Sequence, residues 1–140
     1  MAPKPTYAVD TSVAVAALDA AHTAHAWCRD AVVTHRPALA GHAAYETYSV
    51  LTRMPGDLAV DPPDAAAILA RVFPVVAWLE PHACSALLAR LSVVGLTGGA
   101  VYDALVGEAA RAHGCRLLTR DQRARRTYDL LGVDYEVIEP

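Results

Sequence analysis

Five short apolar runs, each set off by a longer stretch with helical punctuation, decide most of what this 140-residue chain can become. The runs occupy residues 6–10, 37–40 ("PALA"), 75–78 ("VVAW"), 116–119 ("RLLT") and 135–139 ("YEVIE"). After the first, "TSVAVAALDA" reads as a helix capped by Thr11 or Ser12, and the Ala-rich stretch from His22 to about His35, bearing Trp27, reads as a second, broken by Pro37. Gly41 opens "HAAYETYSVLTRM", which Pro55 and Gly56 end. "DPPDAAAILARVF" and "PHACSALLARLSVV" carry prolines suited to a first helical turn. Thr97 is placed to cap "GGAVYDALVGEAARAHG" up to Gly114, and "DQRARRTYDLLG" stops at Gly132. Short strands alternating with longer helices predict an α/β fold, a parallel sheet covered on both faces by helices.

The length suits one domain over residues 1–140, and the 54% hydrophobic content is enough for a real core. No apolar run approaches the ~18–20 residues of a membrane span, and "MAPKPTYAVD" lacks a secretory pattern, so a cytosolic, cytoplasmic protein is expected. Cys28, Cys84 and Cys115 lack the spacing of a zinc site or a disulfide framework and are expected to be buried thiols. A net charge of −3 argues against a surface that binds polyanions everywhere. Yet Arg116, Arg120, Arg123, Arg125 and Arg126 crowd into "CRLLTRDQRARR". That cluster is either a solvated helix face or a phosphate-binding patch, for which the planar guanidinium fork is well shaped.

Sites in open parallel sheets form beyond the carboxyl ends of the strands, where the order reverses. Asp10 closes the first strand and Asp121 stands two residues after "RLLT", so both belong at that edge. Glu46 in "AAYETYSVL" and Asp103 in "AVYDALVG" are lone carboxylates on helices of apolar and small residues. An unpaired buried charge meets a large desolvation cost. Arg53, seven residues past Glu46, is loosely placed to pair with it, and Asp103 has no basic residue within four positions. Taken singly, each acid could serve as a helix cap or first-turn residue. Taken together, they would repel one another unless joined by a cation, and hard oxygen ligands favour Mg²⁺ or Mn²⁺, with Ser12 and Thr119 as supporting polar residues.

"YAVDTSV", "YETYSVLTR", "GGAVYDALVGEAA" and "LLTRDQRA", in this order and spacing, are similar to the motifs of PIN-domain ribonucleases, and most closely to VapC-type toxins of bacterial toxin–antitoxin pairs. The resemblance runs nearly end to end and implies a PIN-like three-layer sandwich. It places the catalytic and metal-binding acids at Asp10, Glu46, Asp103 and Asp121, with Ser12 and Thr119 in support. It further implies Mg²⁺- or Mn²⁺-dependent cleavage of a structured RNA such as tRNA or rRNA, a homodimer, and neutralisation by a cognate VapB-type antitoxin.

In such a centre, carboxylate-held ions activate water for in-line attack on a phosphodiester, and no side chain acts as nucleophile. The arginine cluster beside Asp121 would hold the RNA backbone. Tyr45, Tyr48 and Tyr102 adjoin two of the acids, either to stack on bases or to pack in the core or a dimer interface. His22 and His25 have the spacing of a metal pair but no further ligands nearby, which favours a structural or surface role. A receiver-like phospho-acceptor domain is the rival with similar strand-end acids, but its late lysine is missing, since Lys4 is the only lysine. A catalytically degenerate PIN fold that only binds RNA or protein is the other.

Overall fold

The computed structural model describes residues 3–139. Four of the five apolar runs become strands, because their alternating backbone groups find parallel partners: β1 (Tyr7–Val9), β2 (Ala38–Leu39), β3 (Arg116–Thr119) and β4 (Tyr135–Val137). Their order is β2-β1-β3-β4, every pairing parallel, with Val9 opposite Leu39 on one side and Leu118 on the other. Ala8 and Val9 at 0% exposure and Leu117 at 0% show why these strands are continuous apolar runs: the central sheet is buried on both faces. The expected strand at 75–78 shrinks to a single bridge between Val76 and Leu39. It follows Pro74 at the sheet's edge, with Val75 and Trp78 turned to solvent.

Among the described residues seven α-helices accompany the sheet: α1 (Thr11–Leu18), α2 (His25–His35), α3 (Ala43–Thr52), α4 (Pro62–Val72), α5 (Pro81–Val94), α6 (Ala100–Ala112) and α7 (Arg125–Leu131). Four start differently from expectation, α7 among them, since Gln122–Ala124 forms a separate 3₁₀ turn ahead of it. The cap of α1 is Asp10, whose carboxylate accepts from the Val13 amide, rather than Thr11 or Ser12. α2 begins at His25, because Asp19 and His22 use their side chains to bond the Ala21 and Ala24 amides in the preceding turns. α6 is preceded by Gly99 with no side-chain cap, and Thr97 is exposed. Cys28 and Cys115 are buried as expected, whereas Cys84 is exposed on α5. No helix among the described residues is long and apolar enough to cross a membrane.

Two glycines bring α6 close to its neighbours. At Gly41, φ is +47°, and an added Cβ would stand 2.9 Å from the Ala109 side chain and 3.2 Å from the Ala77 carbonyl. At Gly107 an added Cβ would stand 2.9 Å from the Tyr128 ring. The missing side chain therefore lets Tyr128, 1% exposed, slide beneath α6.

Candidate active site

From β1 the chain runs to β2 on one side and later returns to β3 on the other, so the strand order reverses between β1 and β3. Asp10 directly follows β1 there, its amide still donating to the Leu118 carbonyl, and Asp121 lies just beyond Thr119, the last residue of β3. Glu46 and Asp103 each sit in the first turn of their helices, α3 and α6, where unpaired amides favour negative charge. All four acids line one cavity of about 240 Å³, together with Thr11, Ser12 and Tyr128.

Each acid is compensated differently. Asp10 is 4% exposed and accepts four bonds: from Ser12 Oγ at 2.6 Å and the Val13 amide at 3.2 Å on one oxygen, and from Thr119 Oγ1 and Tyr128 Oη on the other. These donors occupy the roughly four lone-pair directions of a carboxylate. Burial still outweighs them and raises the Asp10 pKa above its usual range. The supporting hydroxyls are themselves fixed, since Ser12 Oγ accepts from the Arg120 amide at 2.8 Å and Thr119 Oγ1 from the Asp121 amide at 3.0 Å. Asp121 uses Oδ1 to accept from the Arg123 amide at 2.9 Å, capping the short 3₁₀ turn Gln122–Ala124.

Glu46 and Asp103 have no ion pair among the described residues. Burial raises the pKa of Glu46, with the His42 charge pulling the other way. The Thr11 hydroxyl comes near enough to favour the charged form of Glu46, yet it is buried without a partner in hydrogen-bonding geometry. Burial first, then the charges of Asp121, Glu46 and Asp10, raise Asp103 to about 6. A fifth acid that sequence reasoning passed over shows the contrast. Glu108, 5% exposed, is held by Arg90 at 3.4 Å and by Arg111 at 2.5 Å. This fold satisfies a buried acid with arginine where the acid is structural, and leaves Glu46 and Asp103 without one.

The donor set fits a hard divalent cation: carboxylate and hydroxyl oxygens only, mutually repelling, with an unpartnered hydroxyl at Thr11 beside them. It is an open cup rather than a closed cage, for among the described residues no three acid, histidine or cysteine side chains stand close enough to share an ion as placed. Among the described residues, the Asp103 oxygens and Oδ2 of Asp121 accept no hydrogen bond, and Glu46 has only the nearby Thr11 hydroxyl.

A test follows from the sign of the shifts. The folded chain holds protons on Asp10, Glu46 and Asp103 more tightly than the unfolded chain does. The slope of unfolding free energy with pH is therefore negative in this window. In EDTA, stability should rise as the pH falls from 7.5 to 5, through the Asp103 value of about 6 and toward its unfolded value of 3.8. The full Asp103 shift corresponds to about 3 kcal/mol, which screening at this partly exposed position reduces to about 1–2 kcal/mol. Mn²⁺ should raise the melting temperature at pH 7.5 and do little at pH 5. Melting curves that fall with pH in EDTA, or that ignore Mn²⁺ at pH 7.5, would contradict this account of the cup.

The arginine cluster divides. Arg116 opens β3 at the amino-terminal edge, opposite Tyr7 and away from the acids, and lies near Asp134 and Glu136. Arg123, 94% exposed, stands 3.6 Å from Asp121, a contact that contributes little in water. Arg120 flanks the site through its backbone, Arg125 bonds Gln122 at 3.0 Å, and Arg126 is exposed. The two histidines do structural work: His22 caps a turn, and His25 Nδ1 lies 2.9 Å from the Ala16 carbonyl, tying α2 to α1. Tyr128 went unnoticed in the sequence. Burial, followed by the charges of Asp10 and Asp103, raises its pKa and keeps its hydroxyl a donor toward Asp10.

Comparison with known proteins agrees with this geometry. The PIN-domain family model matches residues 7–130. The chain is 51% identical over 134 residues to Ribonuclease VapC27 of Mycobacterium tuberculosis, covering 93% of this chain and 95% of the relative. Ribonuclease VapC40 of the same organism is 44% identical over 133 residues, covering 94% and 98%. Among solved structures, VapBC2 from Rickettsia felis bound to a DNA fragment from its promoter superposes with a TM-score of 0.67 over 95% of this chain and 98% of that one, at 14% identity. At that identity the likeness bears on the fold.

Proposed function

The chain belongs to the PIN-domain family and its relatives are VapC ribonucleases, and from that premise we propose that it is the endoribonuclease toxin of a toxin–antitoxin pair, cutting structured RNA such as tRNA or rRNA in the cytoplasm. The observation that carries this reading is the cavity at the strand-order reversal, which four carboxylates line and where Asp10, Glu46 and Asp103 form no ion pair among the described residues. A Mg²⁺ or Mn²⁺ ion bound there would lower the pKa of water and neutralise charge on the scissile phosphate. Asp10 and Asp103 would be the direct ligands of such an ion, and Glu46 and Asp121 would orient the attacking water or hold a second ion. Thr119, Ser12 and Tyr128 keep the Asp10 carboxylate fixed while charge builds up opposite it. Arg123 and Arg126, exposed on the segment that follows Asp121, would hold the RNA backbone together with Arg125; the Arg120 side chain has its Nε buried, and Arg116 lies at the opposite end of β3, so both are removed from that role.

Two helices expose large apolar side chains. Leu88 and Val93 on α5 are 71% and 85% exposed, and Trp27 and Val33 on α2 are 49% and 61% exposed. We assign them to a second copy of the chain and to a VapB-type antitoxin. The catalytic reading is tested by incubating purified protein with total cellular RNA and Mn²⁺. Discrete cleavage abolished by EDTA is expected. Binding without cleavage, unaffected by EDTA, would instead establish the degenerate PIN module.

A further inference from the structure

A second cavity, about 330 Å³, opens beside the acid cup, and Thr11 and Glu46 line both. Its chemistry differs from that of the cup. Arg53 brings a guanidinium that forms no ion pair among the described residues. The Thr11 hydroxyl is buried and unpartnered. Tyr45, 64% exposed, and His42 form one wall, and the aromatic surface continues outward: His42 stacks on Tyr102 at 5.4 Å, and Tyr45 lies against Trp78 at 5.5 Å.

We propose that this cavity is a nucleotide subsite, holding the RNA residue next to the scissile phosphate. The inference rests on the ribonuclease reading above and specifies how that site grips its substrate. A chain whose phosphate lies over the acids must continue somewhere, and this cavity adjoins the cup through shared residues. Two of its features each match one part of a nucleotide. The exposed Tyr45 ring is a stacking face for an unpaired base. Arg53 suits the adjoining phosphate through a charge-assisted bond. Thr11 lines the cavity with its hydroxyl shut from solvent, which leaves base and phosphate as the parts of a nucleotide the cavity contacts. A second copy of the chain would favour an apolar, fully paired surface at its centre, which a lone guanidinium does not supply.

The test uses full-length protein carrying Asp103→Asn, so that RNA is bound uncut, and a short single-stranded RNA containing 2-aminopurine, whose fluorescence falls when it stacks. In Mg²⁺, the parent should bind and quench. Tyr45→Leu should weaken binding at least about fivefold and abolish the quench, while Tyr45→Phe retains both. Arg53→Ala should weaken binding about tenfold and reduce the slope of log affinity against log salt by about 0.7. Tyr45 and Arg53 are exposed, so neither substitution threatens the core. Unchanged quench in Tyr45→Leu and an unchanged slope in Arg53→Ala, with the parent binding well, would overturn the subsite and leave the nuclease reading standing. A parent that fails to bind any RNA would overturn both. If Tyr45→Leu splits an oligomer in sedimentation yet quenches normally, the face belongs to a second copy and the subsite is wrong.

Discussion

An Asp103→Asn chain should lose RNA cleavage by at least about 100-fold and, without added metal, melt at a higher temperature than the wild type. The two effects have one cause. Asp103 makes no ion pair among the described residues, and its pKa is raised to about 6 by burial and by the charges of Asp121, Glu46 and Asp10. Asparagine keeps the shape and removes the repelled charge, which should add about 1–2 kcal/mol to stability at pH 7.5, or about 3–8 °C. The same charge is what a divalent cation requires, and losing a ligand to a charge-stabilising ion removes several kcal/mol from transition-state binding. Stability and activity are thus traded at a single oxygen pair. Differential scanning fluorimetry in EDTA and a gel-based cleavage assay measure the two sides. A variant that melts lower, or that cleaves normally, would refute the role given to Asp103.

Asp10→Ala should be equally inactive but should destabilise the fold by about 2–4 kcal/mol, the opposite sign to Asp103→Asn. Asp10 caps α1 and receives Ser12, Thr119 and Tyr128 on its carboxylate. Alanine removes the cap, at about 1 kcal/mol, and leaves the buried Thr119 and Tyr128 hydroxyls short of an acceptor, at about 1–3 kcal/mol each. Relief from the desolvation of Asp10 offsets part of this. Chemical denaturation with an unchanged m-value would register the loss as stability alone. Asp10→Asn, which retains an acceptor for the cap, should be as inactive yet fall between the alanine variant and the wild type in stability. If Asp10→Ala proves as stable as the parent, the hydroxyl network around this carboxylate has been misjudged.

Much of the architecture could be read from residue order. Parallel strands buried on both faces appear as continuous apolar runs, and their ends locate the acids at the edge where the strand order reverses. What escaped was set by three-dimensional pairing. The run at 75–78 has strand composition but meets a neighbour only at Val76, since an edge position and Pro74 limit its ladder. Thr11, Ser12 and Asp10 could each be read as the cap of α1, and only the folded strand end, which holds the Asp10 carboxylate in place, decides for Asp10. Tyr128 is one aromatic on a short helix, and its only trace in the sequence is Gly107, the gap it fills from another helix. Glu108 had a legible partner three residues on in Arg111, whereas Arg90 reaches it from α5 and could not be foreseen. The arginine cluster, contiguous in sequence, is divided by β3, whose length carries Arg116 to the opposite edge.

The hydroxyl cradle around Asp10 draws on both extremes of the chain, with Ser12 near the start and Thr119 and Tyr128 near the end. While a ribosome is still making the protein, a nascent chain that ends before Thr119 lacks the Thr119 and Tyr128 hydroxyls of that cradle, and one that ends before Asp103 lacks two of the four acids of the cup. The site is therefore complete only once β3 and α7 have been made and have folded back against the end of β1, long after Asp10 itself was added to the chain.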